Sequence, residues 1–286
     1  MSLSNLHGRV LELCVVKEFE KVLNNKLILS EKTIQDNIRD TEKLNEIKND
    51  QLNHFKSSSV KIVKWIIEHI GKFDSNLKLE RLSDEEGKKG DVTDIRLTYD
   101  EKTLNISLKS NHLATKHQRP GPTPKHIGLT SDSDETKHFK IQYQKINSDF
   151  FNFVKSKNQN FEKYNEVEEY KFEHLYEPIC NLVSDLLNKH NQRSKDYLLF
   201  LIGNVFFKKI VLFKNYFQIS SFDNIPETQK MKSWVERKNY VIVEFSDDIV
   251  LSMRLHTASS RLSKGGSLKF DTQIQKMNVN KEIINF

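Results

Sequence analysis

Cysteine is nearly absent: in a chain of 286 residues there are two, Cys14 and Cys180. Both lie in apolar, helix-patterned surroundings, where a cysteine reads as a small buried hydrophobe. Two such residues provide no disulfide framework and no zinc-ligand spacing. Glycine and proline are also scarce, at 9 and 5, which excludes collagen-like and mainly disordered chains. No apolar run approaches the roughly 18 residues needed to cross a bilayer. The best stretch, Tyr197 to Ile202, is stopped by Gly203 and Asn204. Arg9 and Glu12 stand inside an amphipathic pattern near the start, so no secretory signal is expected and a cytoplasmic, soluble protein is. What is plentiful is large apolar side chain, with 18 Phe beside 29% charged residues. Such a chain builds a real core, as one elaborated domain or two compact ones.

Net charge is +6, and it is unevenly spread. Residues 102–131 hold Lys102, Lys109, Lys116, Arg119 and Lys125 with no acid. Residues 250–281 hold Arg254, Arg261, Lys264, Lys269, Lys276 and Lys281 against Asp271 alone. Each segment carries +5, leaving −4 on the other 224 residues. Cations gathered in two segments of an otherwise acidic protein point to a surface that meets a polyanion. Two solvated loops are the plainer reading.

Residues 8–24 have helical spacing, with Leu11, Val15, Phe19, Val22 and Leu23 on one face. Ser30 is an N-cap for a long polar helix whose stripe is Ile34, Ile38 and Leu44. Three serines, Ser57 to Ser59, precede an apolar helix with Val60, Val63, Ile66, Ile67 and Ile70, which Gly71 ends. The period then becomes two. Leu77, Leu79 and Arg81 alternate, a charged loop runs from Ser83 to Gly90, and 91–99 and 103–109 follow as short strands turning through Tyr99 to Lys102. Residues 118–134 are a Pro/Gly loop; 136–156, through Phe139, Tyr143, Ile146, Phe150 and Val154, and 166–190 are helices; 205–213, 215–222, 239–245 and 249–256 are strands. This order predicts a mixed α/β fold. Its expected parts are a helical N-terminal region (1–75), a core (76–160) and a C-terminal helix-and-strand region (161–286).

In residues 90–112, GDVTDIRLTYDEKTLNISLKSNH, Ile95, Leu97 and Tyr99 point one way and Asp94, Arg96 and Thr98 the other. Ile106 and Leu108 share a face, opposite Ser107 and Lys109. Pairing the two strands brings Asp94 and Lys109 to one polar side, with Asp91 in the turn before them. A carboxylate beside an ammonium suits metal-assisted phosphodiester hydrolysis. The acid holds a divalent ion that activates water, and the lysine stabilises charge on the phosphorane. The competing reading is an ordinary ion pair across a hairpin, worth about 0.5 kcal/mol.

The flanking residues make the pattern specific. The run S-x-K-x-N-H-x-A-x-K-H-x-R follows G-D-V-x-D-I, and R-x-H-x-A-S-S-R and S-L-K-F-D come far downstream. Together, over residues 88–121 and 250–273, they resemble the HaeIII-type family of type II restriction endonucleases, in the PD-(D/E)xK nuclease superfamily. The resemblance implies a central mixed β-sheet flanked by helices, with an added helical N-terminal region and a β-rich C-terminal part. It implies a Mg²⁺-dependent enzyme that cuts both strands of double-stranded DNA at a short palindrome. A homodimer and a separate DNA methyltransferase acting on the same site are the implied partners. Asp94 corresponds to the metal-binding aspartate and Lys109 to the motif lysine, with Asp91 a second carboxylate. Thr93 replaces a proline that only shapes the turn. Ser107 replaces the acid two residues before the lysine, and a hydroxyl is a poor Mg²⁺ ligand. The alternatives for the missing ligand are the Leu108 carbonyl, a water held by Ser107, Asp91, or a glutamate from an early helix: Glu12, Glu18 or Glu68.

Asn111, His112, Lys116, His117 and Arg119 follow the motif lysine and are candidate DNA contacts, Lys116 and Arg119 to phosphates. Downstream, Arg254 and His256 share a strand face, with Met253 and Leu255 on the core side. Ser259 and Ser260 permit close approach of backbone to phosphate, flanked by Arg261 and Lys269. A zinc cluster of His112, His117 and His126 is disfavoured, because no Cys or further acid stands at a fitting distance. The rival functions are a nuclease without sequence preference, as in repair, and a basic DNA-binding module without catalysis.

Overall fold

Apolar residues spaced three and four apart form α1 (Leu3–Leu23), in which Leu11, Val15 and Phe19 are fully buried while Val22 is exposed. The computed structural model describes residues 3–82, 91–224 and 226–286; the expected charged loop, Ser83 to Gly90, lies outside them. Ser30 caps α2 (Glu31–Thr41), its hydroxyl accepting from Thr33 N at 3.2 Å. The face of α2 is the reverse of the expected one. Ile34 and Ile38 are 46% and 60% exposed, and Thr33, Asn37 and Asp40 point inward. Leu44 lies beyond the helix, in a 3-10 turn packed on the core.

The cause is Arg81, whose buried guanidinium reaches Asn37 Oδ1 at 3.1 Å and Asp40 Oδ2 at 2.8 Å. An unpaired buried charge costs several kcal/mol, whereas burying an isoleucine gains about 1.5–3 kcal/mol. Satisfying the arginine therefore sets the rotation of α2. The next helix, α3 (Asn49–Ile70), takes in the serines expected to precede it, and Ser59 Oγ donates to the Phe55 carbonyl at 2.8 Å. It ends at Gly71, at φ 73°, whose N–H bonds the Ile67 carbonyl.

The strands of the first half are β1 (Leu27–Leu29), β2 (Leu77–Arg81), β3 (Ile95–Tyr99), β4 (Lys102–Ser110) and β5 (Lys116–Gln118). Those of the second half are β6 (Phe207–Leu212), β7 (Tyr216–Phe222), β8 (Lys232–Glu236), β9 (Tyr240–Ser246), β10 (Ile249–Thr257), β11 (Leu268–Lys276) and β12 (Asn280–Asn285). A mixed seven-stranded sheet has the order β1-β2-β3-β4-β6-β7-β12. Its β1–β2 and β4–β6 pairs are parallel and the rest antiparallel. A five-stranded antiparallel sheet has the order β5-β11-β10-β9-β8. This is the mixed α/β fold that the order of helices and strands predicts.

The chain divides into two units, each discontinuous in sequence, where consecutive segments were expected. The first, residues 1–113, 204–225 and 279–286, contains the seven-stranded sheet. Phe19, Phe55, Ile62 and Ile66 from α1 and α3 pack in its core with Leu77, Leu97 and Ile106 of the strands. The second, residues 114–203 and 226–278, contains the five-stranded sheet with α4 (Asp134–Lys157), α5 (Glu177–Lys189) and α6 (Ser194–Ile202). The helix expected over 166–190 is α5 preceded by an α turn and a π turn, and the expected loop 118–134 holds a helical turn at Thr123–His126. Among the described residues no helix is long and apolar enough to cross a membrane.

Candidate active site

Alternation sets the register of the hairpin: Ile95 faces Ile106 and Leu97 faces Leu104, all buried. The turn between β3 and β4 places Asp100 and Glu101 at positive φ, as a two-residue hairpin requires. At the other end Asp94 N donates to the Ile106 carbonyl at 2.9 Å, which lays Asp94 beside Ser107. One oxygen of Asp94, Oδ2, then accepts from Leu108 N at 2.6 Å, Ser107 Oγ at 3.0 Å and Lys109 Nζ at 3.0 Å. The structure thus brings Asp94, Ser107, Leu108 and Lys109 to one point. The Asp94 and Lys109 side chains keep 22% and 27% of their surface exposed, so a ligand has access.

Asp91 is engaged elsewhere. Its Oδ1 accepts from Thr93 N and its Oδ2 pairs with Arg96, which also donates to Asn105 Oδ1. Of the three early glutamates, Glu18 pairs with Lys21 and Glu68, on the exposed side of α3, with Lys64. Glu12 is different. Its Oε2 accepts from Arg81 Nε at 3.3 Å and Nη2 at 2.9 Å. Burial first, and then the charge of Asp94, raise the Glu12 carboxyl to about 7, against the pull of Arg81 and Lys109. Glu12 therefore stands in the electrostatic field of both Asp94 and Lys109.

The donor set fits a hard divalent cation. In a strand the N–H and C=O of one residue leave on the same side. Leu108 N points at Asp94, so the Leu108 carbonyl faces that side too. Two carboxylates, Asp94 and Glu12, and one carbonyl are oxygen ligands of the kind Mg²⁺ takes. Ser107 is a donor to Asp94 and orients it.

Lys209, which sequence reasoning left within a strand, belongs to the same neighbourhood. In the parallel β4–β6 pair it is in register with Ser107, so it shares the face of Asp94 and Lys109. Its Nζ donates to the Leu113 carbonyl at 2.5 Å. Burial, and then the charge of Lys109, lower its pKa to about 7, with Asp94 opposing. The legible signal was two adjacent lysines in FKKIVL, a strand whose residues are all buried.

Asn111, exposed at φ 51°, donates its N–H to the Leu212 carbonyl at the exit of β4, and half-buried His112 follows it. Lys116 and His117 do not continue this strand; they form β5 in the second unit. Lys116 Nζ lies 3.8 Å from the centre of the Phe200 ring, and burial lowers its pKa to about 8. Arg119 is exposed. On the other strands of the same sheet, Asp271 gathers three candidates. His117 Nδ1 lies 2.5 Å from its Oδ1, and His256 Nε2 and Arg254 Nη2 lie 2.9 and 3.3 Å from its Oδ2. Burial opposes ionisation of Asp271, yet His117 and His256 hold its carboxyl well below the usual range. Its signal was to be the lone acid of a +5 segment.

Lys269 pairs across from His256. The exposed Ser259, Ser260 and Arg261 form a loop in which Ser259 Oγ accepts from Arg261 N. Ser259 and Ser260 also line a cavity of about 580 Å³ with Lys163, Tyr164 and Lys171. Of the histidines weighed for zinc, His126 stacks on Phe200 and His117 meets Asp271.

The HaeIII restriction endonuclease family model matches residues 8–234. The chain belongs to the HaeIII restriction endonuclease family. No curated protein and no solved structure matches it. Membership implies a nuclease, a hydrolase whose substrate is DNA. The match to the HaeIII restriction endonuclease family spans α1 to β8, so it includes Glu12, Arg81, Asp94, Lys109 and Lys209. The cluster of Arg254, His256 and Asp271 lies beyond it.

Proposed function

We propose that this family member is a type II site-specific deoxyribonuclease of the PD-(D/E)xK kind, cutting both strands of a short palindromic duplex with Mg²⁺. The observation that carries the reading is the convergence of Ser107, Leu108 and Lys109 on Asp94, in the field of Glu12. Asp94, Glu12 and the Leu108 carbonyl are the residues that would hold the cation; Asp91, committed to Arg96, is the reserve carboxylate. Bound Mg²⁺ supplies Lewis-acid polarisation of the phosphate and a more acidic water. The water oxygen bonds to phosphorus, the P–O ester bond breaks, and the leaving oxygen takes up a proton. Lys109 stabilises the charge that accumulates on the phosphorane, and Ser107 keeps Asp94 in position.

Asn111 and His112 follow the reacting strand and contact the backbone near the cut. Lys116, His117, Arg119, Arg254, His256, Ser259, Ser260, Arg261 and Lys269 bind the duplex, Lys116 and Arg119 at phosphates and Arg254 and Arg261 in the manner that reads base edges. A palindrome is matched by a two-fold homodimer. A cognate methyltransferase protects the same site without stable complex formation, and the protein works in the cytoplasm. Ser107 in the place of an acid favours one other reading, a DNA-binding module without catalysis.

The test is a digest of long unmethylated DNA with Mg²⁺ beside an EDTA control, with fragment ends sequenced. Discrete fragments sharing one palindrome are expected; a smear means a general nuclease, and bound but intact DNA means a binding module. Asp94→Ala should abolish cutting and spare binding. Lys109→Ala should slow turnover by at least about 10²-fold with little loss of affinity, and a rate near wild type would remove Lys109 from the mechanism.

A further inference from the structure

Arg81 is a buried charge of the first unit, 2% exposed. Its guanidinium has five N–H donors in a fixed fork. Nε and Nη2 go to Glu12 Oε2, Nη1 to Asn37 Oδ1, and Nη2 also to Asp40 Oδ2 and the Arg9 carbonyl. The backbone is tied as well: Arg81 N donates to Thr33 Oγ1 at 2.8 Å. The next residue donates in the other direction, Leu82 N to the Asp94 carbonyl at 3.0 Å. One dipeptide therefore holds the side chain of Glu12 and the main chain of Asp94.

Buried ion networks of this kind rarely add stability over a well-packed apolar core, and here α2 exposes Ile34 and Ile38 in order to supply Asn37 and Asp40. The charge of Asp40 is shared with Arg39, at 2.8 Å, and Arg9, at 4.0 Å. Arg81 Nε and Nη2 both meet Glu12 at the same oxygen, Oε2.

We propose that Arg81 is a positioning residue: clamped by α2, it fixes Glu12 through Oε2 so that Oε1 is presented beside Asp94 as a ligand for the divalent cation. This rests on the reading of Glu12 as the acid that Ser107 does not supply. It assigns α2 a task at the reaction centre through Asn37 and Asp40, which meet Arg81.

The test is Mn²⁺ binding to the full chain without DNA, by calorimetry, alongside thermal unfolding. Glu12→Gln and Arg81→Met should each weaken Mn²⁺ about 10–100-fold, as loss of a ligand or of its support does. Arg81→Lys, which keeps the charge without the fork, should bind between these and wild type. Folded Arg81→Met with wild-type Mn²⁺ affinity, beside a weakened Glu12→Gln, overturns the inference and leaves Glu12 as a ligand. Wild-type affinity in Glu12→Gln overturns both. Should Arg81→Met fail to fold, Asp40→Asn decides: it keeps the Arg81–Glu12 contact and loosens the clamp, and unchanged Mn²⁺ affinity overturns the proposal.

Discussion

A cationic side chain in a core must be paired, neutralised or stacked, and the three solutions occur here side by side. Arg81 is paired, Lys209 is pushed toward neutrality, and Lys116 rests on an aromatic ring. His126 belongs with them: it stacks on Phe200 at 3.8 Å, and among the described residues its buried Nδ1 has no hydrogen-bond partner. Burial, then the charges of Lys116 and Lys125, lower its pKa to about 3 from an ordinary 6.5. The unfolded chain therefore takes up this proton first as the pH drops. The stability His126 contributes is complete above 6.5 and is lost between 6.5 and about 3. Urea unfolding at pH 7 and pH 5 should show a loss in the wild type that is smaller in His126→Phe. Equal losses would mean that His126 titrates normally in the folded protein.

At the scale of elements, α2 decides what amphipathicity can and cannot tell. Ile38→Lys should change stability by no more than about 0.5 kcal/mol, the usual range at an exposed site. Asp40→Ala should cost about 3–5 kcal/mol, since it leaves a buried arginine short of its partner. Denaturant melts of both variants check the pair, and the opposite ranking would restore the isoleucine stripe as the inner face. The cap at Ser30 and the β3–β4 hairpin were legible because their causes are local: a hydroxyl three residues from an N–H, and strict alternation across a short turn. The same alternation places Asp94, Ser107 and Lys109 on one side from the sequence alone. The inner face of α2 was hidden because its cause, Arg81, lies 41 residues further on than Asp40. Glu12 was legible only as one of three glutamates, since its approach to Asp94 depends on how α1 packs. The short β1, β5 and β12 owe their extended form to partners far along the chain, so they carry little pattern of their own.

Over the whole molecule, the basic segment 102–131 is split, Lys102 and Lys109 in one unit and Lys116, Arg119 and Lys125 in the other. Each unit therefore carries part of this basic segment, and on the proposed reading DNA affinity should fall steeply with salt. Arg119→Ala and Lys269→Ala should each flatten the plot of log affinity against log salt by about one. An unchanged slope would place that side chain away from phosphate.

The connectivity of the two units has a further consequence, for descent. The chain passes between them four times, after residues 113, 203, 225 and 278. A single crossover between two related genes thus cannot exchange one whole unit for another. Exchanging the whole second unit takes four crossovers, one at each passage, whereas two suffice to exchange residues 226–278 with β10 and β11.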